Sequence, residues 1–145
     1  MAKIINVRTF CNRRLNTERS LNWGKLSVIE EKIDFPFEIK RIFYVYDVQK
    51  NVVRGGHRLK TAVQGLICVY GKYDIYVNDG KTQQNIILKS PDKCLILENE
   101  DWHTMKALTR NTVLLVISSK HYDIEDYIDT PYQNTPTEVL QSISS

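Results

Sequence analysis

The sequence predicts an all-β domain, an antiparallel barrel or sandwich of short strands with a short helix near its C-terminus. Three observations predict it. Short apolar and β-branched segments recur roughly every 8–12 residues, the spacing of sandwiches and barrels. Tight-turn residues separate them, as at Gly71-Lys72 and Asn78-Asp79-Gly80. Helical periodicity is scarce along the chain.

Taken in order, Leu26–Glu30 reads as a first strand and Ile39–Asp47 as a longer one. Leu66–Tyr70 is apolar without alternation, as in a strand covered on both faces. Gly71 opens a two-residue turn after which Tyr73–Val77 runs back, and the Asn-Asp-Gly turn leads into Gln83–Leu88. Pro91 and Asp92 break the chain before Cys94–Glu98, and Val113–Ser118 is a last apolar strand. Tyr122–Ile128 has the pattern of a turn or two of helix, and Thr135–Ser142 of another. Residues 1–130 are read as one barrel domain and 131–145, polar with Pro131 and Pro136 at its start, as a loosely held C-terminal tail.

The 145 residues suit one domain, long enough to bury a core without staples. Apolar runs such as Leu66–Tyr70 and Val113–Ile117 fall far short of the roughly 20 residues of a membrane-spanning helix. The start, Met1 to Asn6, lacks an apolar signal core. A cytoplasmic, membrane-independent protein is expected. The net charge of +3 permits an anionic ligand, and without a dense basic block nucleic acid is not expected as a partner. Arg8, Arg13, Arg14 and Arg19 fit a solvated N-terminal segment. Cys11, Cys68 and Cys94 are unclustered and odd in number, so a disulfide framework is not expected.

The segment from Gly55 to Gly71 carries the chemistry. Cupin barrels have a first motif of a Gly-rich approach, HxH, three or four residues, a Glu, six residues and a Gly. His57, Gln64 and Gly71 keep that spacing, with Leu59 in the place of the second histidine and glutamine in that of the glutamate. His103, in Glu100-Asp101-Trp102-His103, is the candidate for the histidine of the second cupin motif. A metal cupin presents three histidines and a carboxylate. Leu59 cannot ligate and Gln64 is a weak neutral donor, so neither a working metal site nor any cofactor is expected.

Within cupins the chain resembles the dTDP-4-keto-6-deoxyglucose 3,4-ketoisomerases, the WxcM-like family. The likeness lies in Ile39–Tyr44, Arg54-Gly55-Gly56-His57, Leu66–Val69 with Gly71, Asp79-Gly80, Ser90-Pro91, Trp102-His103 with Met105, and Tyr122-Asp123 with Asp126-Tyr127-Ile128. It spans residues 24 to 128, and the RGxH, WHxM and YDxxDYI set in that order is its specific part. The resemblance implies a metal-free jelly-roll barrel that dimerises by exchanging N-terminal strands. It also implies that a ketone moves from carbon 4 to carbon 3 of a thymidine-diphosphate sugar, feeding surface polysaccharide synthesis such as O-antigen.

Such a transposition needs a base at carbon 3, a proton returned to carbon 4, and proton exchange between the two oxygens. Histidine, with an ordinary pKa of about 6.5, can both take and give a proton near neutrality. His57 is the expected base, and His103 the expected proton donor or oxyanion partner. Leu59, two residues beyond His57 on an extended strand, is expected to line the cavity beside it. Trp23, where the family usually has Arg before Gly24, is expected against the sugar. Arg41 and Arg54 suit the pyrophosphate, because a planar guanidinium grips two oxygens. Tyr44 and Tyr46 share one strand face and are candidates to stack on base or sugar; packing is the plainer reading. His121 reads as surface, and Glu98 and Glu100 as possible orienters of His103.

Since Leu59 carries no proton, a second function stays open: a non-catalytic nucleotide-sugar-binding cupin that has lost the histidine relay. A metal cupin is the third and least favoured reading.

Overall fold

The structure, a computed structural model, describes residues 1–10 and 24–144. Trp23, Cys11, Arg13, Arg14 and Arg19 lie outside the described residues. Two five-stranded antiparallel sheets face each other. The first runs in the order β1 (Lys3–Asn6), β9 (Lys93–Leu97), β6 (Gln64–Tyr70), β11 (Val113–Ser118) and β4 (Arg41–Val45). The second runs β12 (Tyr127–Ile128), β5 (Val53–Leu59), β10 (Trp102–Ala107), β7 (Tyr73–Asn78) and β8 (Gln83–Leu88). A separate ribbon pairs β2 (Arg8–Phe10) with β3 (Leu26–Val28). One short helix, α1 (Thr137–Ser142), follows. The all-β cupin-type fold is as the sequence predicts, but the barrel is open. Among the described residues no strand of one large sheet pairs with a strand of the other.

Leu66, Cys68, Ile75, Val77, Leu95 and Leu114 fill the space between the sheets. The outer face of the first sheet is buried too. Ile67, Ile96 and Ile117 lie with Phe35 in a second cluster. That double cover explains why β6, β9 and β11 read as unbroken apolar runs. Gly71 turns β6 into β7 with φ +87°, and a Cβ there would stand 2.6 Å from Thr109 Oγ1, so both backbone and space demand glycine.

Three local readings change. β1, β2 and β10 were not anticipated as strands. The Tyr122–Ile128 segment is a single 3₁₀ turn (Ile124–Asp126) that straightens into β12. The C-terminal tail is docked. The Asn78 amide donates to Asn134 Oδ1 at 2.8 Å and Thr135 Oγ1 at 3.1 Å, and the Tyr132 hydroxyl donates to the Glu100 carbonyl at 2.8 Å. Beyond α1, the Ser144 N–H donates to the Val53 carbonyl at 2.9 Å and Ile143 packs on Gly56. These polar side chains close hydrogen bonds with the domain, which composition alone cannot distinguish from solvation. No helix among the described residues is long and apolar enough to cross a membrane.

Candidate functional site

His57 on β5 and His103 on β10 are directly paired across the strands, their ring centroids 5.1 Å apart at 72°. Directly opposed residues project to the same face of a sheet, here toward the first sheet. The register of the pair shifts between His103 and Thr104, so Gly55 and Gly56, both with positive φ, form a bulge just before His57. A bulge bends its strand and re-aims the next side chain. At Gly55 (φ +94°) a Cβ would meet the His103 carbonyl oxygen at 2.9 Å, so the close approach of β5 to β10 depends on glycine.

The two rings lie in a cavity of about 280 Å³ between the sheets. Phe43, Val45, Leu66, Met105, Leu114 and Val116 give it an apolar wall, and Arg54, Gln64, Tyr122 and Tyr127 supply its polar groups. Larger than this is an open depression of about 500 Å³ around Asp47 and Arg110, but it holds no histidine. The cavity is at or just below the roughly 300–1,000 Å³ of pockets for drug-sized ligands. That volume is of the order of a single sugar ring.

Burial sets the protonation of both histidines. His103, 2% exposed, is pushed down to about 4, first by desolvation and then by the neighbouring His57. His57 is half-buried and lowered by desolvation, against the charge of Asp129 and a ring hydrogen bond to the Gly55 carbonyl. Both are therefore neutral near pH 7. His103 Nδ1 lies 3.0 Å from the Asp101 backbone carbonyl, which can only accept, so Nδ1 carries the hydrogen and Nε2 keeps a free lone pair. At rest His103 is a hydrogen-bond acceptor toward a ligand, which differs from the donor expected. Glu98 and Glu100 do not orient it; the main chain of Asp101 does.

Tyr127 was not singled out as a site residue, yet its ring centroid is 4.9 Å from that of His57. Asp126 puts it there. Its carboxylate accepts from the Thr61 N–H at 2.9 Å, the Thr61 hydroxyl at 2.7 Å and the Ala62 N–H at 3.2 Å, clamping the segment to the corner after β5. Its carbonyl accepts from the Lys60 N–H at 2.8 Å. Asp126→Ala leaves three donors without that acceptor, and we expect about 1–3 kcal/mol loss of stability in denaturant titration. The available signal was the DYI triplet, which read as helix because the partners of the Asp126 carboxylate, Thr61 and Ala62, lie far away in sequence.

The remaining candidates divide. Gln64 is buried in the cavity wall, and Arg54 is exposed at the cavity's edge. Arg41 lies against Phe43 and Tyr122, its guanidinium carbon 4.8 and 5.5 Å from their ring centroids, and its enclosed Nε has no partner among the described residues. Leu59 is buried but does not line the cavity. It ends β5 paired with Tyr127, and the tyrosine ring takes the place beside His57. Tyr44 and Tyr46 face away from the cavity, 63% and 61% exposed, because on β4 it is the alternate residues Phe43 and Val45 that point inward. Trp23 lies outside the described residues, and His121 is exposed. Among the described residues no three His, Cys, Asp or Glu side chains are grouped to hold a metal ion. Two imidazoles and an amide do not fit the ligand set of a metal cupin.

Fold and site together define a cupin-type domain with two imidazoles facing one cavity between its sheets. The chain belongs to the FdtA family, described as WxcM-like, C-terminal, whose model matches residues 9–135. It is 34% identical over 126 residues to the TDP-4-oxo-6-deoxy-α-D-glucose-3,4-oxoisomerase of Aneurinibacillus thermoaerophilus, covering 87% of this chain and 84% of that one. Among solved structures it is similar to the WlaRB TDP-quinovose 3,4-ketoisomerase of Campylobacter jejuni (36% identity, TM-score 0.79, 89% and 92% of the two chains). It is also similar to a variant of the 3,4-ketoisomerase QdtA of Thermoanaerobacterium thermosaccharolyticum in complex with TDP-4-keto-6-deoxyglucose (32%, 0.78, 89% and 87%).

Proposed function

We propose that the chain is a sugar 3,4-ketoisomerase acting on a TDP-4-keto-6-deoxyhexose. The observation that carries this is the pair of neutral imidazoles facing one cavity of sugar size, in a chain whose relatives bear that activity in their names. His57 takes the proton from carbon 3, which the adjacent ketone acidifies, and returns it to carbon 4. His103 Nε2 accepts from a sugar hydroxyl and so fixes the ring. Gln64 supports the same contacts from the facing sheet. Arg54 and Arg41, outside the apolar wall, hold the pyrophosphate.

The carbon protons then have an acid and base, while the two sugar oxygens still need one. No metal takes part in this scheme, because every step is a proton transfer between side chain and sugar. We further infer a cytoplasmic homodimer with exchanged N-terminal strands. Supporting the dimer are the exposed Ile42 and Tyr44 on the edge strand β4, the exposed Tyr46 just beyond it, and the exposed Phe10 and Leu26 on the β2–β3 ribbon.

The test is incubation with TDP-4-keto-6-deoxyglucose in heavy water, followed by NMR. Deuterium at carbon 4 of a 3-keto product, or at carbon 3 of recovered substrate, is expected as the imidazolium exchanges with solvent, at the same rate with and without excess EDTA. Binding without exchange would instead leave the non-catalytic reading standing.

A further inference from the structure

We propose that the Tyr127 hydroxyl carries the proton between the two sugar oxygens, the task that Leu59 cannot perform. The inference rests on the isomerase reading above and adds a residue to it.

The groups of the cavity can be sorted by whether they hold a transferable proton. Its aliphatic and aromatic wall holds none. The Arg54 guanidinium can only donate hydrogen bonds, and the Gln64 amide does not titrate. His103 has its only hydrogen committed to the Asp101 carbonyl, and burial keeps Nε2 unprotonated near neutrality. Tyr122 is exposed, its ring centroid 6.1 Å from that of Tyr127. Tyr127 remains. It is half-buried, lines the cavity and packs edgewise on His57. It is also the residue paired across the strands with Leu59. Where β5 has leucine in place of a second imidazole, β12 brings a phenol to the same end of the site, held by the Asp126 clamp.

The steps balance without a co-reactant. As His57 takes the proton from carbon 3, the C3–H electrons form the C3=C4 bond and the carbonyl electrons move to O4. O4 takes the Tyr127 proton. The product is an enediol beside an imidazolium and a phenolate. The O3 proton then passes to the phenolate, the O3–H electrons form the C3=O bond, and carbon 4 takes the proton from His57. Both side chains end as they began. One hydroxyl suffices because O3 and O4 are on adjacent carbons.

Tyr127→Phe removes the oxygen and keeps the ring. In steady-state turnover of TDP-4-keto-6-deoxyglucose, kcat should fall by at least about 10²-fold, the usual worth of a positioned acid or base. KM should stay within about threefold, since ground-state binding is left in place. The thermal midpoint should be unchanged, and Tyr70→Phe, which removes an exposed hydroxyl outside the cavity, should keep the activity. Turnover of Tyr127→Phe within about threefold of the parent overturns the proposal. A parent protein without turnover overturns the isomerase reading itself, so the two failures are told apart.

Discussion

His57→Asn is expected to lower turnover and deuterium incorporation at carbon 4 of the product by about 10²–10⁴-fold, the range for loss of a general base. Asparagine keeps a polar side chain of similar reach, and its amide can still donate to the Gly55 carbonyl that His57 now engages. What it cannot do is bind and release a proton. Packing against His103 and Tyr127 changes little, so the thermal midpoint should hold while the rate collapses. Binding of TDP, measured by calorimetry, should survive, because the arginines proposed for the pyrophosphate are left in place. Unchanged turnover in His57→Asn would remove the base from the scheme.

The second large effect concerns pH and stability. His57 and His103 have depressed basicity in the fold. The unfolded chain therefore binds more protons than the native one below about pH 6.5, and these residues make stability fall as pH drops from there toward about 4. Asp101 acts in the opposite sense. It is buried, one carboxylate oxygen unpartnered, the other accepting from the Glu98 N–H at 2.8 Å. Desolvation raises it to about 6, so the native chain holds the extra proton. Its stabilising effect is full below its unfolded pKa of about 3.9 and is lost as pH rises through the folded value. Over pH 4–6 the aspartate cancels roughly one histidine. Asp101→Asn keeps an acceptor for Glu98 and removes the opposition. Its stability should fall more steeply on acidification than the parent's, by about 1.4 kcal/mol per pH unit between pH 4 and 6. Urea titrations at a series of pH values read this directly; parallel slopes would mean that Asp101 is ionised throughout that range.

Much of the fold was legible because turn chemistry and apolar runs coincide. Val113–Ser118 and Gln83–Leu88 match their strands residue for residue, and Tyr73–Val77 falls short of its strand by only Asn78. The spacing of His57, Gln64 and Gly71 was enough to point to a cavity wall, and all but the glycine line it. β10 was missed for a physical reason. Its cavity face carries His103 and Met105 where aliphatics would make a strand plain, and rules of pattern tend to fail at functional positions. β1 is too short and too polar at its ends to stand out. Leu59 was placed by simple alternation, which cannot foresee that the neighbouring strand would bring Tyr127 to the place beside His57. Tyr44 and Tyr46 show the same limit in reverse: alternation says that they share a face, but not which side of the sheet faces water.

The docking of Ile143 on Gly56 and of Ser144 on Val53 has a temporal meaning. On a ribosome, β5 emerges long before the residues that brace it, and domains settle as synthesis proceeds. A nascent chain halted at residue 130 would contain every ionisable group of the site yet lack the buttress behind the glycine bulge. Competence is thereby tied to residues translated well after the site's own, and products ended before them should be folded imperfectly and inert together.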